Sequence, residues 1–199
     1  MIPLRDANPT RRVPWVTILL IAANVAVFFL WQPFSAGQVE QQGFLLCEAQ
    51  VPWEVSHGTN LADGGGDARL AISDTYGAGT GGPVQRYLQA RCPGKSPYLA
   101  VLVSMFLHGG LLHIGGNMLY LWIFGNNVED RLGRLPFLIF YLLGGLAATG
   151  LQLVFDASSA LPNLGASGAI GAVLGAYLVL FPGARVTTLV VFVFITVQQ

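Results

Sequence analysis

Between Ser96 and Val128 the chain carries no Asp, Glu, Lys or Arg. A membrane-spanning helix takes ~20 apolar residues, so this run is too long for one ordinary span. His108-Gly109-Gly110 breaks it into residues 98–107 and 112–124. The first piece is too short to cross and reads as a membrane-dipping helix. Irregular backbone at that depth is tolerated only where it is buried in protein or lines a watery cavity. The second piece reads as a span ending near Gly125, with a short charged turn over 125–134.

The rest of the chain follows the same logic. Residues 1–12 form a polar head with Arg5, Arg11 and Arg12. No charge appears from Val13 to Val39, and an apolar run there has a Trp at each end, Trp15 and Trp31. Aromatic residues favour membrane interfaces, so residues 13–36 read as a first span. The rival is a cleaved signal peptide, but Trp31, Pro33 and Phe34 make a poor small-residue cleavage site. Residues 37–95 are polar with a glycine-rich centre, and read as a loop or loop-rich insertion. His57 lies there alone and reads as a solvated loop histidine. Residues 135–155 form a third span, 168–181 a short fourth helix, and 186–199 open a fifth span that stops early.

Only 10% of residues are charged and mean hydropathy is +0.58, which places the chain among integral membrane proteins. Net charge is zero, so nothing argues for nucleic acid. A transporter would need intramembrane charges or an inverted repeat, and the sequence offers neither. The arginines of the head, the 125–134 turn and Arg185 against none in 156–163 put the amino terminus in the cytoplasm. Residues 37–95 then fall outside. Cys47 and Cys92 flank that region; a disulfide and two free thiols are both open.

Polar side chains at membrane depth are costly and often functional. His113 and Asn117 are four apart, hence on one helix face, while His108 sits off that face. Ser167 stands between glycines just before a helix start, where first-turn N–H groups lack partners. Such donors, with a His and an Asn, can hold a tetrahedral oxyanion. Gly165 and Gly168 permit close approach of substrate. Each feature alone has a plainer reading. Gly171 and Gly175 form a GxxxG packing face, and Glu129 with Arg131 could be a solvated helix end.

Taken together, His108-x4-His113-x3-Asn117, Gly125-x3-Glu129-x3-Gly133 and Gly165-Ala166-Ser167-Gly168 resemble the rhomboid family of intramembrane serine proteases. The resemblance covers roughly residue 96 to the end, and the first span. It implies an all-α transmembrane bundle of six or more helices, about five of them present, with a membrane-dipping loop after the first. It implies Ser167 as nucleophile, with His113, Asn117 and the Ser167 N–H as oxyanion hole. His108, Glu129, Arg131, Gly171 and Gly175 would be structural. No cofactor or metal is implied, and the partners would be transmembrane protein substrates within a lipid bilayer. Two departures stand out. No Trp is followed by Arg, a pair the family's first loop often carries. The family's general base is a His on the sixth helix, and this chain stops in its fifth. The chain therefore reads as a catalytic core, 96–199, cut short at its carboxyl end. The expectation is an intramembrane serine endopeptidase of a bacterial plasma membrane. The alternative is an inactive rhomboid-like protein that binds transmembrane clients.

Overall fold

The computed structural model describes residues 2–77, 81–92 and 94–189. The polar amino-terminal head begins as strand β1 (Ile2–Asp6). Helix α1 (Trp15–Ala26) continues through one wider π-type turn, Val27–Trp31. The apolar helix thus runs from Trp15 to Trp31, about 25 Å at 1.5 Å per residue. Pro14 precedes it and supplies no side-chain cap. The Glu129 carboxylate does so instead. It accepts from the Val16 N–H at 3.0 Å, the Thr17 N–H at 2.7 Å and the Thr17 hydroxyl at 2.8 Å. First-turn donors and the positive end of the helix dipole both favour a carboxylate there.

The 37–95 region, expected as a loop or loop-rich insertion, is largely helical: α2 (Gln38–Glu48), α3 (Pro52–His57), α4 (Gly65–Tyr76) and α5 (Gly81–Arg91). Its glycines punctuate helices rather than fill a loop. Gly58, Gly65 and Gly77 have φ of +67°, +62° and +92°, and they end or begin α3 and α4. The insertion has its own core, in which Val51, Trp53, Leu61, Ala68, Ile72 and Leu88 are buried. Cys47 and Cys92 are disulfide-bonded, joining the α2 end to the α5 end. Glu54, 1% exposed, pairs with Lys95 at 2.6 Å. The Leu61 N–H donates to Glu54 and Lys95 donates to the Leu46 carbonyl, both at 2.9 Å.

The expected membrane-dipping helix is α6 (Pro97–Ser104), whose first turn donates to the Ser96 side chain from the Leu99 N–H. Then α7 (Leu111–Tyr120), a π-type turn (Leu121–Gly125) and α8 (Asn126–Leu132) follow without interruption. This corrects the reading of 125–134 as a turn. Gly125 lies inside the helix because it packs close: a Cβ there would sit 2.9 Å from Leu121 and 3.4 Å from Thr17 of α1. The chain turns at Gly133 instead, with φ +87°. Helix α9 (Arg134–Asp156) matches the expected third span to within a residue at each end, and α10 (Ser167–Leu180) the fourth. Among the described residues α9 alone is long and apolar enough to cross a membrane, with mean hydropathy 1.9. Trp15–Trp31 and Ser167–Leu180 are shorter apolar helices.

Small residues seat α9 on α10. A Cβ on Gly144 would meet the Ala172 Cβ at 2.5 Å, and one on Gly168 would meet the Ala148 Cβ at 2.5 Å. Gly171 and Gly175, expected as the packing face, meet nothing within 4 Å among the described residues. Around this seam Leu121, Phe137, Tyr141, Ile170, Val173 and Tyr177 form the main core. The expected fifth helix is corrected at its start. Residues Val186–Leu189 form strand β2, antiparallel to β1 with Asp6 opposite Val186. Val186, Thr187 and Thr188 are β-branched and suit a strand. The rest of that expected helix, 190–199, lies outside the described residues.

Candidate active site

Ser167 is the first residue of α10 and is exposed. Its approach is fixed from both sides. The Gly165 N–H donates to the Ser104 carbonyl of α6 at 2.8 Å, and Ala166 is fully buried. Gly165 has φ +117°, a conformation other residues rarely adopt. Ser167 belongs to the wall of a cavity of about 180 Å³, together with Gln50, Ser104, Gln152, Asn163 and Gly168.

The α7 face comes against the same segment. A Cβ on Gly165 would lie 2.8 Å from His113 Nε2 and 3.7 Å from Asn117 Nδ2, so no larger residue fits. The Gly109 N–H donates to His113 Nδ1 at 3.3 Å. A neutral imidazole accepting at Nδ1 carries its proton on Nε2, the nitrogen turned to Gly165. Asn117 is 9% exposed, and its Nδ2 is buried with no hydrogen-bond partner among the described residues. Two side-chain donors therefore meet the backbone that leads into Ser167.

His108 is 1% exposed, its ring centroid 5.1 Å from that of His113. Gln32, which sequence reasoning did not single out, grips it by the backbone. Gln32 accepts from the His108 N–H and donates to the His108 carbonyl, both at 2.9 Å. The only hint was a carboxamide directly after the apolar run that ends at Trp31. Glu129 caps α1 as described, while Arg131 is exposed and makes no ion pair among the described residues. His57 is exposed at the end of α3, stacked on Trp53 with centroids 4.2 Å apart. Gly168 lines the cavity but leans on Ala148. Among the described residues no three His, Cys, Asp or Glu side chains gather as a metal site.

The insertion holds the loop that leads to Ser167. Gln50 and Asn163 form a one-residue bridge, the Asn163 N–H donating to the Gln50 carbonyl at 2.7 Å. The Trp53 N–H donates to the Ser159 carbonyl at 3.0 Å, and the Ala160 N–H to Thr75 Oγ1 at 3.1 Å. Ala160 is fully buried in the insertion's core. Gln50 also donates its N–H to Ser104 Oγ. Sequence reasoning missed Gln50, which lies among other polar residues, and Ser104, a lone serine that ends the apolar α6.

Apolar helices meeting around a serine, an imidazole and a carboxamide define a class: helical membrane proteins with a polar site inside the bundle. The comparison with known families narrows it. The Rhomboid domain model matches residues 95–198, and the chain belongs to the rhomboid family, whose members are embedded in membranes. It is 35% identical over 102 residues to presenilin-associated rhomboid-like protein A, mitochondrial, of Danio rerio, covering 50% of this chain and 27% of that protein. It is 33% identical over 107 residues to Rhomboid protein 1, mitochondrial, of Saccharomyces cerevisiae, covering 52% and 31%. It is 41% identical over 78 residues to rhomboid protease GluP of Bacillus subtilis, covering 39% and 15%. The chain thus spans less than a third of the length of each of these relatives. No solved structure matches.

Proposed function

We propose that the protein is an intramembrane serine endopeptidase that cuts transmembrane-segment substrates. The observation that carries this is the pair of donors, His113 Nε2 and the unpaired Asn117 Nδ2, turned to the Gly165–Ser167 backbone. Ser167 attacks the scissile carbonyl. The oxygen, as it gains charge, receives hydrogen bonds from His113, Asn117 and the Ser167 N–H at the start of α10. Gly165 and Gly168 keep the approach free of side chains. A serine needs a base. On this reading the base is the histidine that the family resemblance puts on a later helix. His108, Glu129 and Arg131 serve structure. Residues 1–12 are the cytoplasmic head, 13–36 the first span, 37–95 an extracytoplasmic insertion and 96–199 catalytic core. The Cys47–Cys92 disulfide supports an oxidising compartment for the insertion, as outside a bacterial plasma membrane.

The test is cleavage of a reporter with a single transmembrane segment by the protein expressed from its complete reading frame. Ser167→Ala abolishes cleavage and leaves expression intact; retained cleavage overturns the reading. One observation favours a second reading. No hydrogen bond joins Ser167 to His57, His108 or His113 among the described residues. A rhomboid-like protein without a working base would bind transmembrane clients and release them uncut. Labelling of Ser167 by a fluorophosphonate at the rate of an active serine hydrolase excludes that reading.

A further inference from the structure

The family match begins at residue 95, so the helical insertion that borders the site lies outside it. We propose that the insertion supplies a substrate subsite: the Gln50 side-chain amide hydrogen-bonds the backbone of the peptide that enters at Ser167. The proposal rests on the protease reading for the identity of the ligand.

Gln50 is 1% exposed, and both its Oε1 and its Nε2 are buried with no hydrogen-bond partner among the described residues. Buried polar side chains are almost always paired, and one left doubly unpaired asks for an explanation. Its neighbours are already engaged. Asn163 donates through Nδ2 to Gln152 Oε1, and Ser104 Oγ accepts from the Gln50 backbone N–H. The Gln50 backbone alone makes the bridge to Asn163 and the bond to Ser104, so its side chain is not needed to hold the loop. Gln50 and Ser167 line one cavity of about 180 Å³.

The chemistry of the amide selects the ligand. It is neutral, and it offers a donor and an acceptor side by side. A peptide unit presents the matching carbonyl and N–H, and an extended segment presents them without internal partners. A substrate unwound from its helix to reach Ser167 is such a segment. An anion would leave Oε1 unpaired, and a cation would leave Nε2 unpaired.

Two probes of Ser167 separate this role from a structural one. An acetyl-tetraalanyl diphenyl phosphonate carries a peptide; an ethyl fluorophosphonate does not. In the protein from the complete reading frame, Gln50→Leu slows labelling by the peptide probe about tenfold. It leaves labelling by the ethyl probe unchanged, and its melting temperature in detergent is equal or higher. Equal labelling by the peptide probe, equal slowing of both probes, or a lower melting temperature overturns the subsite. If the wild-type protein takes neither probe, the protease reading has failed. Fluorescence anisotropy of fluorescein-tagged tetraalanine amide then decides. Tenfold weaker binding to Gln50→Leu keeps a peptide site at Gln50, and equal or absent binding removes it.

Discussion

Glu129 shows how one side chain can hold two parts of a membrane core. Its carboxylate, 3% exposed, serves three donors in the first turn of α1. Glu129→Ala leaves those donors buried with nothing to accept them. Bonds to a charged group contribute about 1.5–3 kcal/mol each, and they do not add fully. A loss of about 3 kcal/mol or more is expected, read as a lowered melting temperature in detergent, with Glu129→Gln falling between. The sequence displayed this residue in a Gly-x3-Glu-x3-Gly pattern. Its partner was not legible, because Thr17 lies more than a hundred positions away in an ordinary apolar run. His113, Asn117 and Ser167 were legible for a different reason. Polar residues are rare in such surroundings, and these three carry a helix-face spacing or flanking glycines, which Ser104 in the same uncharged run lacks. Gln32 and Gln50 fell at or beyond the edges of those surroundings and did not.

At the scale of elements, the third apolar helix was read from composition to within a residue, as Arg134–Asp156 shows, while the first, Trp15–Trp31, is shorter than the expected 13–36. The insertion was misread because its helices are short, largely polar and bounded by glycines, so each looks like loop in isolation. Their stability is tertiary. Tryptophan, isoleucine and leucine side chains from four helices share one small core, and the Glu54–Lys95 pair sits beside it. Burial raises the Glu54 carboxyl pKa and lowers the Lys95 ammonium pKa, in each case outweighing their mutual attraction. The contribution of Glu54 to stability is therefore full at acid pH and declines as pH rises through its raised folded value. That of Lys95 is full in alkali and declines as pH falls through its lowered one. Near neutrality both penalties stand. Lys95→Met alone strands a buried carboxylate and costs about 3–5 kcal/mol. Glu54→Gln with Lys95→Met melts at or above the wild type at pH 7, and the gap narrows towards pH 4. Thermal melts of the two variants across that range check both statements.

The whole molecule has two cores, and one loop, 157–166, reaches both. The main core carries α7 and α10; the insertion's core swallows Ala160, in the middle of the connection from α9 to Ser167. The disulfide closes 45 residues of the insertion, worth up to about 4 kcal/mol in the chain-entropy account. Cys47→Ser with Cys92→Ser should lower the melting temperature and, by loosening the bed of residues 157–163, lower the labelling rate of Ser167. Unchanged labelling in a destabilised protein would show that the two cores work independently. That arrangement also imposes an order on the birth of the protein. Chains leave the ribosome amino end first, so both cysteines emerge before α9 is made. The insertion can be oxidised and shaped while the segment around Ala160 does not yet exist, and an alanine-sized vacancy waits in it. The loop that leads to Ser167 then docks onto a core that formed before it. A chain arrested before that step would be a folded insertion with the place for Ala160 still empty.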